Sequence, residues 1–196
     1  MLFTLIRLYH IAKLKNSVYI TREGVRIAMI NPSKINKAAE KQYEENVKFR
    51  QFLKEHANSD KLDAQFLELH KELFANYDCC KCANCCRAYT VVLNENDVEI
   101  VSQHLDQSKI DFINENMEKS FFDEGDYIMK IQPCIFLCGD GKCQINDIKP
   151  STCKDFPFTD KPDRISSMYS IIDFAHECPV VFEILERLKE MYGFLK

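Results

Sequence analysis

The first 75 residues of this 196-residue chain contain no cysteine, and the whole chain has only five glycines. So few glycines leave no glycine-rich loop of the kind that cradles a nucleotide's phosphates. There is no basic excess either: 26 Lys and Arg stand against 30 Asp and Glu, for a net charge of −4. With no basic block along the chain, a nucleic-acid backbone is not the expected partner. Nor is there an apolar run long enough to span a bilayer. Met1–Leu14 is rich in apolar residues, but Arg7, His10 and Lys13 interrupt it. It also lacks the signal-peptide order of basic start, unbroken apolar stretch and small-residue cleavage site. An amphipathic helix packed on the body is expected over residues 1–14, with membrane-surface contact as the lesser reading. The expected compartment is the reducing cytoplasm, where clustered cysteines serve metal or redox chemistry rather than disulfides. No internal repeat is visible.

What is present is an ordinary globular composition, 46% hydrophobic and 29% charged. A chain of this size buries a core without staples, so its ten cysteines require a chemical explanation. The pattern predicts a mainly α fold with irregular, metal-organised loops and two regions. Residues 1–75 read as an N-terminal apolar helix, a hairpin and a helical appendage, and residues 76–196 as a cysteine-cluster metal-binding domain. Val18–Arg22 and Val25–Ile30 are β-branched runs flanking a Glu23-Gly24 turn. After Asn31-Pro32-Ser33, two helices are expected to about Asn76, broken near His56–Asp60. Phe49, Phe52 and Leu53, then Leu62, Phe66, Leu69 and Leu73, recur at helical spacing and predict packing. Tyr89–Leu93 reads as a strand. Asn94 with Asp97 forms a capping box, and its helix turns Val98, Val101 and Leu105 inward. Ser108 with Asp111 opens another helix carrying Ile110, Phe112, Ile113 and Met117. A turn-rich stretch with Gly125, Pro133, Gly139 and Gly141 follows. Pro179 then opens a last helix through Tyr192.

All ten cysteines lie between Cys79 and Cys178. Cys79, Cys82 and Cys85 stand at three-residue intervals, the C-x2-C-x2-C run that places three thiolates on an iron–sulfur cubane. Zinc ribbons use two separated C-x2-C knuckles instead. Side chains of adjacent residues diverge, so Cys85 and Cys86 can serve different centres. Further on, Gly139-Asp140-Gly141 reverses the chain between Cys134 and Cys143, and Cys153 follows. Cys178 precedes the last helix, where the dipole favours a thiolate. Cys80 and Cys138 stand off the pattern, with packing and a supporting ligand role both open. His176 could be a ligand, although a partner or surface role fits a lone histidine better. Histidines 10, 56, 70 and 104 show no ligand spacing.

These motifs resemble the YkgJ-type cysteine-cluster family of zinc- or iron-chelating domains. The resemblance runs from C-x2-C-x2-C-C at Cys79–Cys86 through Leu93-Asn-Glu-Asn-Asp97, Asp111-Phe112 and Cys134-Ile-Phe-Leu137. It continues through Cys143-Gln-Ile145 and Lys149-Pro-Ser-Thr-Cys153-Lys-Asp-Phe-Pro157 to Cys178-Pro179, spanning roughly residues 76–192. It implies Cys79, Cys82, Cys85, Cys86, Cys134, Cys143, Cys153 and Cys178 as metal ligands. Lys149 departs from the family's usual arginine, and Cys80 and Cys138 are not expected from its pattern. The expected function is metal binding, as an iron–sulfur cluster (4Fe-4S by type) or zinc, in a redox or structural role. Two alternatives stand beside it. One is an S-adenosylmethionine-linked protein lysine methylase, since a related cluster occurs in flagellin lysine N-methylase. The other is a zinc-stabilised module whose N-terminal helical region meets a protein partner.

Overall fold

The computed structural model describes residues 18–21, 24–27, 29–120 and 125–194. The helix expected over Met1–Leu14 lies outside the described residues. Strands Val18–Thr21 and Gly24–Ile27 pair antiparallel with Thr21 opposite Gly24. Gly24 is therefore in the second strand rather than the turn, and that strand ends at Ile27, short of the expected Ile30. Asn31 accepts a hydrogen bond from the Ser33 amide at 3.0 Å, starting a 3-10 turn that leads into the helix Ile35–His56. Asn58 then caps Ser59–Phe74 through the Lys61 amide. The break expected near His56–Asp60 falls there because Ala57 and Asn58 are both extended.

The fold is mainly helical, with its cysteines divided between very short helices and irregular loops. Its apolar residues gather into two cores. In the larger, Phe49, Leu53, Leu62 and Phe66 from the first two long helices meet Ile171, Ile172, Val181, Ile184 and Leu188 from the last part of the chain. Helix Pro179–Met191 lies against both earlier helices. Lys189 is fully buried there, held by Glu45 and Glu186 at 2.5 Å each and by Gln42 at 2.8 Å. A buried ammonium is tolerable only with such partners.

The smaller core is built from Leu93, Val98, Val101, Phe112, Met117, Tyr127 and Met129 among others. Here the structure departs from several expectations. Only Val92–Leu93 of the expected Tyr89–Leu93 strand is extended into a sheet, and it pairs with Tyr127–Met129. That strand, inside the stretch where turns were expected, pairs in turn with Met117–Lys119. Met117 is buried as anticipated, but as the first residue of a strand, because helix Lys109–Asn116 stops before it. Leu105 and Ile110 do not turn inward: they are 39% and 70% exposed. Among the described residues no helix is long and apolar enough to cross a membrane.

Candidate metal centre

The first cysteine cluster folds as two single-turn helices, Cys79–Cys82 and Asn84–Ala88, hinged at Ala83. Asp78 caps the first by accepting from the Cys80 and Lys81 amides at 3.1 and 3.2 Å. Ala83 adopts φ +46°, a left-handed conformation costing a non-glycine residue about 1–2 kcal/mol. The reversal keeps Cys79, Cys82 and Cys85 on one concave surface instead of winding them around a continuous helix. Two hydrogen bonds hold the hinge. Arg87 donates to the Cys82 carbonyl at 2.8 Å, and the Asn84 side-chain amide donates to the Glu177 carbonyl at 2.7 Å. The second bond ties this loop to the residue preceding Cys178.

Cys134 enters from the other side, its amide donating to the Cys86 carbonyl at 2.8 Å. The expected reversal at 139–141 is present. Leu137 bridges Cys143, and the Cys138 amide reaches the Lys142 carbonyl at 2.8 Å. Gly141 has φ +86°, and a Cβ there would sit 2.1 Å from the Cys80 carbonyl oxygen, so this tip packs directly on the first cluster. Cys153 rides on the short helix Ser151–Asp155. The Asp97 carboxylate accepts from the Ser151 amide at 3.3 Å and its hydroxyl at 2.9 Å, while Thr152 donates to the Val92 carbonyl at 2.6 Å. Asp97 thus serves the helix of Cys153 and does not reach back to Asn94 as the capping box predicts. Asn94 still accepts from the Asp97 amide at 2.8 Å.

All eight cysteines of the predicted ligand set line one cavity of about 530 Å³. Cys80 lines it as well, whereas Cys138 does not. His70 and Lys149 border the same cavity, with Phe74, Tyr77, Tyr89 and Phe156 as an aromatic wall. His176 is not among the lining residues; its ring lies 6.1 Å from that of Tyr43. His70 had no ligand spacing in the sequence, because its approach depends on a bond across the chain, Nδ1 to the Thr159 hydroxyl at 2.8 Å.

Burial dominates the electrostatics. It raises the thiols of Cys79, Cys134 and Cys143 above the usual range, and those of Cys153 and Cys178 to about 12. At Cys178 the Val180 and Val181 amides of the helix start pull the other way and lose to desolvation, so helix position alone does not yield a thiolate. The side-chain contact between Cys85 and Cys86 lowers the Cys86 thiol and raises that of Cys85. The positive charges of Lys149 and Arg87 also lower Cys86. Neighbouring thiolates raise one another throughout the cavity.

Cys79, Cys85, Cys134, Cys143, Cys153 and Cys178 are therefore held toward the protonated form, whereas Cys86 is shifted the other way with the positive charges of Lys149 and Arg87 beside it. A thiophilic metal held by these cysteines would supply the further positive charge that so many thiolates need and would displace the protons. Two buried polar atoms at the cavity wall are also without well-formed hydrogen bonds: Glu177 Oε2 and the Tyr77 hydroxyl, which faces the Cys82 sulfur. The donor set fits zinc or an iron–sulfur group. Among the described residues no three such side chains already converge as ligands to a single ion, so the fit rests on donor chemistry and placement.

A helical scaffold converging this many cysteines on one cavity defines a cysteine-cluster metal-binding protein. Residues 78–179, just over half the chain, match the model of the CxxCxxCC family, described as a "putative zinc- or iron-chelating domain", and the chain belongs to that family. No curated protein and no solved structure matches it.

Proposed function

We propose that the chain holds its metal as iron–sulfur chemistry, ligated by the eight cysteines of the family pattern, at the seam between its two hydrophobic cores. The observation supporting this is their convergence: thiols from four separate chain segments, around residues 79–86, 134–143, 153 and 178, line one largely apolar cavity. The three-residue spacing of Cys79, Cys82 and Cys85 favours a cluster over a zinc knuckle. When bound, such a group supplies one-electron exchange and cross-links the segments that ligate it. The chain's own contribution is to line and tune the site. Tyr77, Tyr89 and Phe156 give it an aromatic wall, while Lys149 places a positive charge beside Cys79, Cys86, Cys143 and Cys153.

The test is iron, zinc and acid-labile sulfide per chain in anaerobically purified protein, together with the visible spectrum. Iron and sulfide in matching amounts with a broad charge-transfer band are expected. Colourless protein carrying zinc alone, unchanged when cells are fed iron, would replace the cluster with a structural zinc reading.

A further inference from the structure

We infer that the eight thiols form two separate centres, Cys79, Cys82, Cys85 and Cys178 in one, Cys86, Cys134, Cys143 and Cys153 in the other. This rests on the metal-binding reading above and assigns its ligands. The backbone carries the division. Asn84, between Cys82 and Cys85, is bonded to the Glu177 carbonyl at 2.7 Å and so anchors the first cluster to the segment of Cys178. Cys86 is bonded through its carbonyl to the Cys134 amide at 2.8 Å, which turns the next residue of the same cluster toward the other loop. Cys134 and Cys143 lie on the two arms of the loop closed by the Leu137–Cys143 bridge.

Packing divides the cysteines in the same way. Cys178 is buried in the larger core, with Tyr77 packed against that core. Cys134, Cys143 and Cys153 all pack against the smaller core. The electrostatic neighbours fall into the same two groups. Cys178 is influenced by Cys79 and Cys82, and Cys85 by Cys178 and Cys79 besides its bonded neighbour Cys86. Cys153 is influenced by Cys134, Cys86 and Cys143, and Cys134 by Cys86 and Cys143. Only the adjacent pair Cys85 and Cys86 crosses the divide, and there the peptide chain itself passes from one quartet to the other. Lys149 borders both sets, since its charge is felt at Cys79 as well as at Cys86, Cys143 and Cys153. Cys80 and Cys138 belong to neither quartet: both lie near Lys142, beside the Gly141 tip.

The experiment is reconstitution of the full chain with an NMR-active cadmium isotope and correlation of each cadmium resonance to cysteine β protons. Two resonances are expected, each coupled to one of these quartets, and Cys178→Ser should abolish the same resonance as Cys82→Ser. A single resonance, a sulfur coupled to both metals, or a cadmium coupled to Cys178 and Cys153 together would overturn the division while leaving metal binding intact. A chain that takes up no cadmium at all would instead overturn the metal-binding reading on which it rests.

Discussion

At the scale of single residues, burial outweighs local sequence context. Cys178 sits where a helix start would favour a thiolate, yet its 7% exposure leaves the neutral thiol favoured. His70 shows the same effect in a base. Burial lowers its pKa from the usual 6.5, ahead of Asp160, which acts in the opposite direction. A depressed histidine pKa means that folding favours the neutral ring. Its contribution is present above about pH 6.5 and is lost as pH falls through the lower folded value. His70→Gln cannot gain that proton, so its stability should fall less than the wild type's on acidification from pH 7 to pH 5. Denaturant melts of the metal-free, reduced proteins at the two pH values measure the difference, and parallel losses would remove His70 as a source of acid sensitivity. His70 was not legible as a site residue because nothing local marks it. Its place at the cavity comes from Thr159, 89 positions away.

At the scale of elements, legibility follows length. The helices Ile35–His56 and Ser59–Phe74 were readable because several turns of apolar periodicity repeat one signal. The strands Met117–Lys119 and Tyr127–Met129 were not, since three residues give too few alternations to detect. Ile110 lies on its expected helix and is 70% exposed: on a helix of eight residues, a single apolar side chain can face water without loss of the fold. Asp97 is the most instructive position. Local spacing directs its side chain back to Asn94, but the folded chain offers it the unpaired start of helix Ser151–Asp155. A carboxylate gains more by bonding an amide and a hydroxyl at another helix's N-terminus. Asp97→Ala should therefore cost about 1–3 kcal/mol, the range for leaving a buried donor without its partner. It should also weaken metal retention through Cys153, whereas Asp97→Asn keeps part of the bonding and should fall between. Chelator challenge, followed by metal analysis, reads the order. Equal retention by wild type and Asp97→Ala would show that Cys153 is positioned without this cap.

At the scale of the molecule, the two cores differ in what holds them. The larger one joins helices of 22, 16 and 13 residues through mainly apolar contacts, with Lys189 paired to Glu45 and Arg187 to Glu72 across them, and its only cysteine among the described residues is Cys178. The smaller has short elements, a sheet of two- and three-residue strands, and three cysteines packed on its edge. Helices of that length packed on one another need no metal, while a core of short elements depends on whatever fixes its loops. The cysteine pattern was readable from the sequence because its spacings are short and repeat locally. The seam it occupies was not, because that depends on Ile35–Phe74 folding back onto Pro179–Met191. Removing metal under reducing conditions should therefore uncouple the two parts. Amides within Ile35–His56, Ser59–Phe74 and Pro179–Met191 are expected to keep most of their hydrogen-exchange protection, while those between Tyr89 and Asp155 lose theirs. Far-UV dichroism should fall only modestly. If both regions lose protection together in one transition, the cores form a single cooperative unit, and the metal supports the larger as much as the smaller.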